Sequence, residues 1–128
     1  MANANLQEII LMYTKQQASI TAKLGNIMMN TATASRNYAQ KQQQYNEKCQ
    51  NYYFTYYEQD PDMYYDLVEL LENEHELDLA RLESWEANLE AEKNELETQF
   101  NEITSYRETW LKLLSNNLKK DYTYGSVS

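Results

Sequence analysis

Residues that break regular secondary structure are scarce in this chain, which has two glycines and one proline among its 128 residues. A sheet protein of this size needs a turn about every 8 to 12 residues, and Gly and Pro form most turns. Their scarcity excludes a predominantly β fold and predicts an all-α one. The proline, Pro61, lies near the middle of the sequence, between two long stretches that each have the pattern of uninterrupted helix.

Cysteine and long apolar runs are also scarce. The single cysteine, Cys49, excludes an intramolecular disulfide. No apolar run reaches the roughly 18 residues that cross a bilayer, and the N-terminus lacks the basic and apolar regions of a secretory signal. We therefore expect no membrane insertion, and a location that is cytoplasmic or reached by export without a cleavable signal peptide.

Signatures of catalysis are missing, since the sequence contains no P-loop, dinucleotide fingerprint or nucleophile elbow. Glu72 and His75 have the Glu-x-x-His spacing of di-iron bundles, but such sites need two of these motifs and His75 is the only histidine. A seam histidine hydrogen-bonded to a neighbour is the favoured interpretation of His75. We predict no enzyme activity, no catalytic residue, no metal and no cofactor. An enzyme or metal protein that pairs Glu72 and His75 across a dimer is a third alternative.

Positive charge is scarce in the second half of the chain. Residues 1–60 hold five basic and four acidic residues, whereas residues 61–128 hold six basic and sixteen acidic ones, so the halves carry +1 and −10. An acidic surface repels phosphate backbones and anionic lipids, which disfavours nucleic acid and membrane surfaces as partners. The acidic run is therefore either a solvated helix face or a docking face for a basic partner.

The local sequence around Pro61 predicts a bend between two helices. Proline is tolerated at the first position of a helix, and the preceding Asp60 is a favourable N-cap. We predict one helical domain with helix 1 over about 4–57, a turn over 58–61, helix 2 over about 61–121, and a flexible tail over 122–128. A break in helix 1 near Gly25 or Thr31 would instead give a three- or four-helix fold.

Heptad patterns run along both predicted helices and are typical of a coiled-coil seam. In the first half, apolar residues recur every seven residues, with a companion position four residues later. In the second half, another sevenfold series has its companion position three residues later, which includes Tyr106 and Leu113. The predicted seam comprises Leu6, Ile10, Tyr13, Ile20, Leu24, Ile27, Ala34, Tyr38, Leu82, Trp85, Leu89, Leu96, Ile103 and Trp110.

A turn near residue 60 predicts antiparallel pairing, in which residue i lies opposite about residue 120 − i. This register places Thr31 and Ala34 opposite Trp85, and Ile10 opposite Trp110. Smaller residues would therefore face the large rings, which favours a hairpin over two diverging helices.

Tyrosine, in contrast to the scarce residue types above, is abundant in this chain. It accounts for 12 residues, many of them near the bend. On a helix these rings fan across roughly 200°, whereas a two-helix seam covers little more than about 100°. Some rings must therefore point away from the hairpin, which favours an assembly interface over a tip that packs its own aromatics or stacks on carbohydrate. The predicted interface residues are Tyr52, Tyr53, Phe54, Tyr56, Tyr57, Tyr64 and Tyr65.

A short polar N-terminus without a signal peptide, two long heptad-bearing helices and the bend Asp60-Pro61-Asp62 together resemble the axial needle and filament subunits of type III secretion systems. The resemblance covers the architecture of the chain and implies helical hairpins that stack into tubes. It carries over no functional residue except the bend itself.

Two helices with apolar stripes and no third helix leave apolar surface uncovered, which usually marks association. The leading hypothesis is a non-enzymatic structural protein that self-assembles through its seams and tyrosine-rich tip, with a filament or tube as one form. Its partner would be itself, as a homo-oligomer or polymer. The alternative is a small cytosolic coiled-coil adaptor or secretion chaperone that binds a helical protein client.

Overall fold

The computed structural model describes residues 2–127, with side chains over residues 3–121, and consists of two α-helices. Helix α1 spans Ala2–Tyr56 and helix α2 spans Pro61–Val127. The described residues contain no strand, and the two helices contact each other. The predicted all-α helical hairpin is therefore confirmed. Within the described residues, neither helix has a stretch apolar enough to cross a bilayer.

Contacts between α1 and α2 confirm the antiparallel register that the bend predicts. The residue numbers of contacting partners add up to values close to 120, as they must when the chain reverses near residue 60. Representative pairs are Tyr13 with Tyr106, Gln17 with Thr104, Lys41 with Asp78, and Tyr45 with His75.

The bend is built by Asp60 and Pro61, as the sequence predicts. The backbone N–H of Asp60 donates to the carbonyl of Tyr56 at 2.7 Å, which closes the end of α1. The Asp60 carboxylate then accepts a hydrogen bond from the N–H of Met63 at 3.2 Å. This is N-cap geometry, which satisfies one of the free N–H groups at the start of α2.

Helix α1 is continuous, so the alternative fold with a break near Gly25 or Thr31 is wrong. The threonines of this region bond locally: Thr31 Oγ1 donates to the Ile27 carbonyl at 2.8 Å, and Thr33 Oγ1 to the Met29 carbonyl at 3.0 Å. The hydroxyls therefore find acceptors inside the helix instead of interrupting it.

Helix α2 continues past its predicted end near residue 121 and runs to Val127. Gly125 does not interrupt the helix, since neither glycine adopts the positive φ with which a glycine terminates a helix. Of the predicted tail, Ser128 and the side chains of residues 122–127 lie outside the described residues.

The chain forms two compact units, each of which pairs a segment of α1 with a segment of α2. The terminal unit comprises Met1–Asn26 and Glu92–Ser128, and the turn unit comprises Ile27–Ala91. Each unit has a thin core, because two helices bury only the line along which they touch. The buried apolar residues are Leu6, Ile10 and Ile20 in the terminal unit, and Ile27, Ala34, Leu71 and Leu89 in the turn unit.

Candidate functional site

Almost all the predicted seam residues lie between the helices. Tyr38 is the exception, because its side chain is 43% exposed and lies at the edge of the contact. Polar Gln17 interrupts the seam, and its Nε2 donates to Thr104 Oγ1 across the helices at 2.8 Å. The buried members are Leu6, Ile10, Ile20, Ile27, Ala34 and Leu89; the half-buried members are Tyr13, Leu24, Leu82, Trp85, Leu96, Ile103 and Trp110.

The companion position of the α2 seam shifts by one residue after Leu96. Before Leu96, the second inward-facing residue of each heptad lies three residues after the member of the sevenfold series. From Leu96 onward, it lies four residues after that member. Tyr106 and Leu113, the predicted companions, are 54% and 42% exposed, and the ring of Tyr106 lies 6.0 Å from that of Tyr13 across the helices. A straight helix drifts by about 20° per heptad, and one four-residue step corrects that drift. The half-buried companions after the shift are Phe100, Arg107 and Leu114.

Part of the predicted assembly interface packs on itself within the turn unit. The rings of Tyr53 and Tyr57 stack, with centroids 4.6 Å apart. Tyr64 from α2 meets both edge-on, at 5.9 Å and 5.4 Å. Partial burial, followed by the nearby acidic groups of Cys49 and other tyrosines, raises the pKa of Tyr64. The tip is therefore an ordered aromatic cluster that spans the bend.

The other side of this aromatic cluster faces solvent. Phe54 is 81% exposed and Tyr65 is 59% exposed. Tyr53 and Tyr57 are exposed on their outer sides as well, whereas Tyr52, Tyr56 and Tyr64 are half-buried. The structure thus divides the seven predicted residues into an inner group packed at the bend and an outer group open to a partner. We call Phe54 and Tyr65 the outer tip.

A second cluster lies around the only histidine, in the seam of the turn unit. The rings of Tyr45 and His75 stack with centroids 4.3 Å apart, and His75 Nε2 is 3.1 Å from Gln42 Oε1. The prediction of a hydrogen-bonded seam histidine is confirmed. Burial, followed by hydrogen bonding to Cys49 and the charges of Cys49 and Glu72, raises the pKa of Tyr45 to about 12.

This histidine cluster lacks the donors of a metal centre. Across the described residues, no group of three His, Cys, Asp or Glu side chains is placed to hold a metal ion. The Glu72 and His75 pair therefore gains no third ligand from the part of the chain that the structure describes. What the cluster offers chemically is a polar layer within the seam of the turn unit.

Several exposed apolar residues were missed when sites were assigned from the sequence. Met63, Leu70 and Leu77 recur every seven residues on α2 and are 42%, 57% and 53% exposed. Their spacing was a readable signal for a second apolar stripe on the same helix. The exposed large apolar residues outside both the outer tip and this stripe include Leu11, Met12, Met28, Met29, Tyr106, Leu113 and Leu118.

Charge is divided unequally between the two units. The terminal unit contains seven basic and seven acidic residues and is neutral, whereas the turn unit contains four basic and thirteen acidic residues and carries −9. The acidic excess that the sequence shows in its second half therefore belongs to the turn unit. Four of these acids lie within residues 57–66, beside the outer tip and without a basic neighbour in sequence.

No protein-family model matches this chain, and no characterised protein or solved structure is significantly similar to it.

Proposed function

We propose that this chain is a non-enzymatic structural subunit that assembles with copies of itself. The observation that carries the proposal is the balance of covered and uncovered apolar side chains. Among the side chains that the structure describes, seven hydrophobic residues are buried, whereas fifteen large ones are exposed. A single chain in water leaves this surface without a partner, and self-association is the simplest way to cover it.

The total surface of the chain supports the same proposal. Its accessible surface is 9758 Å², whereas a compact protein of 15.2 kDa exposes about 7,100 Å². The excess is roughly 2,600 Å². A stable interface covers about 800 Å² on each partner, so the excess is large enough for more than one contact per subunit.

The outer tip is one of the proposed contacts. Its aromatic side chains offer large apolar area and lie against the packed inner rings, Phe54 next to Tyr53 and Tyr65 next to Tyr64. Aromatic residues are enriched at protein interfaces. A contact between the tip of one subunit and a different surface of the next forms a ring when the rotation between subunits closes, and a filament or a tube when it does not.

Light scattering over a wide concentration range, followed by negative-stain microscopy of the heavy fraction, tests the proposal. We expect mass to grow with concentration into large regular particles. A chain that stays monomeric at every concentration refutes self-assembly. A dimer of constant mass favours the alternative, an adaptor or secretion chaperone that binds a helical client.

The contribution of the tip is tested by replacing Phe54 and Tyr65 with Ser. Both side chains are exposed, so helical circular dichroism should be retained while the large particles are lost. Tyr38→Ser is the matched control, because it removes an exposed aromatic of the same unit away from the tip. Equal loss of particles in the control, or retained particles in the double variant, contradicts a role for the tip.

A further inference from the structure

The two long edges of the terminal unit differ in chemistry. Along one edge, Arg107 Nε donates to Thr14 Oγ1 at 2.9 Å, and Gln17 Nε2 donates to Thr104 Oγ1 at 2.8 Å. Both hydrogen bonds cross from one helix to the other. The polar groups of this edge, which we call the polar edge, therefore already have hydrogen-bond partners within the chain.

Helix geometry places a second set of residues on the opposite edge. At about 100° per residue, Thr14 and Thr104 lie about 80° to one side of the seam. Tyr106 and Leu113 lie about 80° to 100° to the other side of the α2 seam, and Met12 lies about 120° to the other side of the α1 seam. Because the helices are antiparallel, these displacements lead to the same edge of the pair.

The residues of this second edge are also adjacent along the helix axis. The antiparallel register brings Ile9 of α1 level with Leu113 of α2. Further along the same direction, Met12 lies about one turn from Ile9 and Tyr106 about two turns from Leu113. Tyr106 reaches back to Tyr13, with ring centroids 6.0 Å apart. The same edge of the terminal unit therefore carries four apolar residues, which we call the apolar edge: Ile9, Met12, Tyr106 and Leu113.

This apolar edge is open to solvent. Met12, Tyr106 and Leu113 are 45%, 54% and 42% exposed, and Ile9 is half-buried. The polar edge and the apolar edge thus belong to the same pair of helices. The side chains of the polar edge hydrogen-bond to each other, whereas those of the apolar edge remain open to solvent. A two-helix pair with one unsatisfied apolar edge is half of a four-helix bundle.

Charge identifies the occupant of the apolar edge. The terminal unit is neutral, so the surfaces that meet when two terminal units pair carry no net charge. A basic partner would instead be drawn to the turn unit, which carries the whole net charge of −9. A second copy of the chain is therefore the partner that this neutral surface fits best.

We propose that two copies of the chain pair through their apolar edges, so that two terminal units form a four-helix bundle. The inference rests on the proposed function, because it names one of the surfaces through which the subunit self-associates. The same edge is contributed by both copies, so the contact is two-fold symmetric and closes as a dimer. Growth beyond the dimer then requires a different surface, such as the outer tip.

Replacing Leu113 with Glu tests the inference, and Leu118→Glu is the matched control. Both leucines are exposed residues of α2 in the terminal unit, at 42% and 49%. Leu118 lies about 40° to the polar side of the seam, whereas Leu113 lies on the apolar edge. We expect Leu113→Glu to raise the dimer dissociation constant about 30-fold or more, because a charge would enter the contact, and Leu118→Glu to change it less than about threefold.

Sedimentation equilibrium measures both variants, with circular dichroism to check that each is folded. Tyr106→Ser is a second variant that adds no charge, and it should weaken the dimer in the same direction. If the wild-type chain self-associates and both edge variants pair normally, the inference is wrong while the proposed function stands. If the control weakens pairing as much as Leu113→Glu, the inference is also wrong. If the wild-type chain never associates, the inference and the proposed function are both wrong.

Discussion

Tyr45 of α1 stacks on His75 of α2, with ring centroids 4.3 Å apart and planes inclined by 12°. Tyrosines also occur seven residues before and after it, at Tyr38 and Tyr52. A slip of the helices by one heptad would therefore offer His75 another tyrosine. The bend sets the register, and within it the hydrogen bond between His75 and Gln42 adds a polar contact inside the seam. Polar contacts of this kind are a known means of specifying register.

Gln42→Leu should therefore destabilise the hairpin more than the loss of an ordinary surface amide. The His75 ring nitrogen would lose its partner in a partly buried position, which costs about 1–3 kcal/mol. Urea unfolding followed by circular dichroism measures the change. Gln40→Leu, at an exposed position of the same helix, is the control and should stay within about 0.5 kcal/mol. Equal effects of the two substitutions would contradict the role given to Gln42.

The raised pKa of Tyr45 predicts a loss of stability in alkaline solution. An unfolded tyrosine titrates near pH 10, whereas Tyr45 holds its proton to about pH 12. Between these values the unfolded chain binds fewer protons than the folded one, so the free energy of unfolding falls as pH rises. For one proton the slope is at most about 1.4 kcal/mol per pH unit.

Tyr45→Phe should make this alkaline decline shallower, while Tyr64, whose pKa is also raised, leaves part of the slope in place. Urea unfolding at several values between pH 9 and pH 11.5 measures it. The difference in unfolding free energy between wild type and Tyr45→Phe at pH 8 is the reference, because tyrosines are then protonated in both the folded and the unfolded chains. An unchanged alkaline slope would show that Tyr45 is not protected in the folded state.

Gly25→Ala should stabilise the protein. Gly25 lies inside α1 with no positive φ, and a methyl group added there meets no atom within 4 Å. Glycine in a helix interior costs about 0.5–1 kcal/mol relative to alanine, so we expect a melting temperature about 3 °C higher. Thermal unfolding measures the shift. A lower melting temperature would mean that flexibility at Gly25 is needed by the folded chain.

Added salt should promote growth beyond the dimer. The outer tip lies among four acids of residues 57–66, which repel an approaching acidic surface. Raising the ionic strength from 0.01 M to 0.15 M shortens the Debye length from about 30 Å to about 8 Å. We expect large particles at an about tenfold lower protein concentration, which corresponds to about 1.4 kcal/mol, while pairing of the neutral terminal units changes little.

Neutralising part of this charge, with Glu58→Gln and Asp66→Asn, should weaken the salt dependence. Asp60 is left intact because it caps α2. Light scattering at both ionic strengths measures the effect. Particles that dissolve on adding salt would contradict this account, since they would be held together by attractive charge pairs.

The elements that the sequence predicted best are those with a local physical cause. Asp60 and Pro61 determine the start of α2 through the cap and the fixed φ of proline, and the position of the bend then determines which residues face each other. The shift after Leu96 has no comparable local signal. Tyr106 and Arg107 are both plausible seam residues, and the choice depends on the accumulated rotation of the helix and on the Thr14 acceptor opposite Arg107.

The candidate surfaces were harder to predict for a related reason. The aromatics of the tip are contiguous in sequence, but their rotation about each helix sends Tyr64 inward and Phe54 outward. The apolar edge of the terminal unit combines residues of both helices, so no single stretch of sequence indicates it. It is distinguished from the opposite edge by the hydrogen bonds that Arg107 and Gln17 form there.

Ala34 is the most deeply buried of the described side chains, at 0% exposed. In a two-helix contact, a methyl group is fully inaccessible to solvent only where side chains of the facing helix cover it on both sides. The register brings Trp85 level with Ala34. Any larger side chain at this position must displace α2. Among descendants of this sequence, residue 34 should therefore drift only among the smallest amino acids, even where the exposed polar positions around it vary freely.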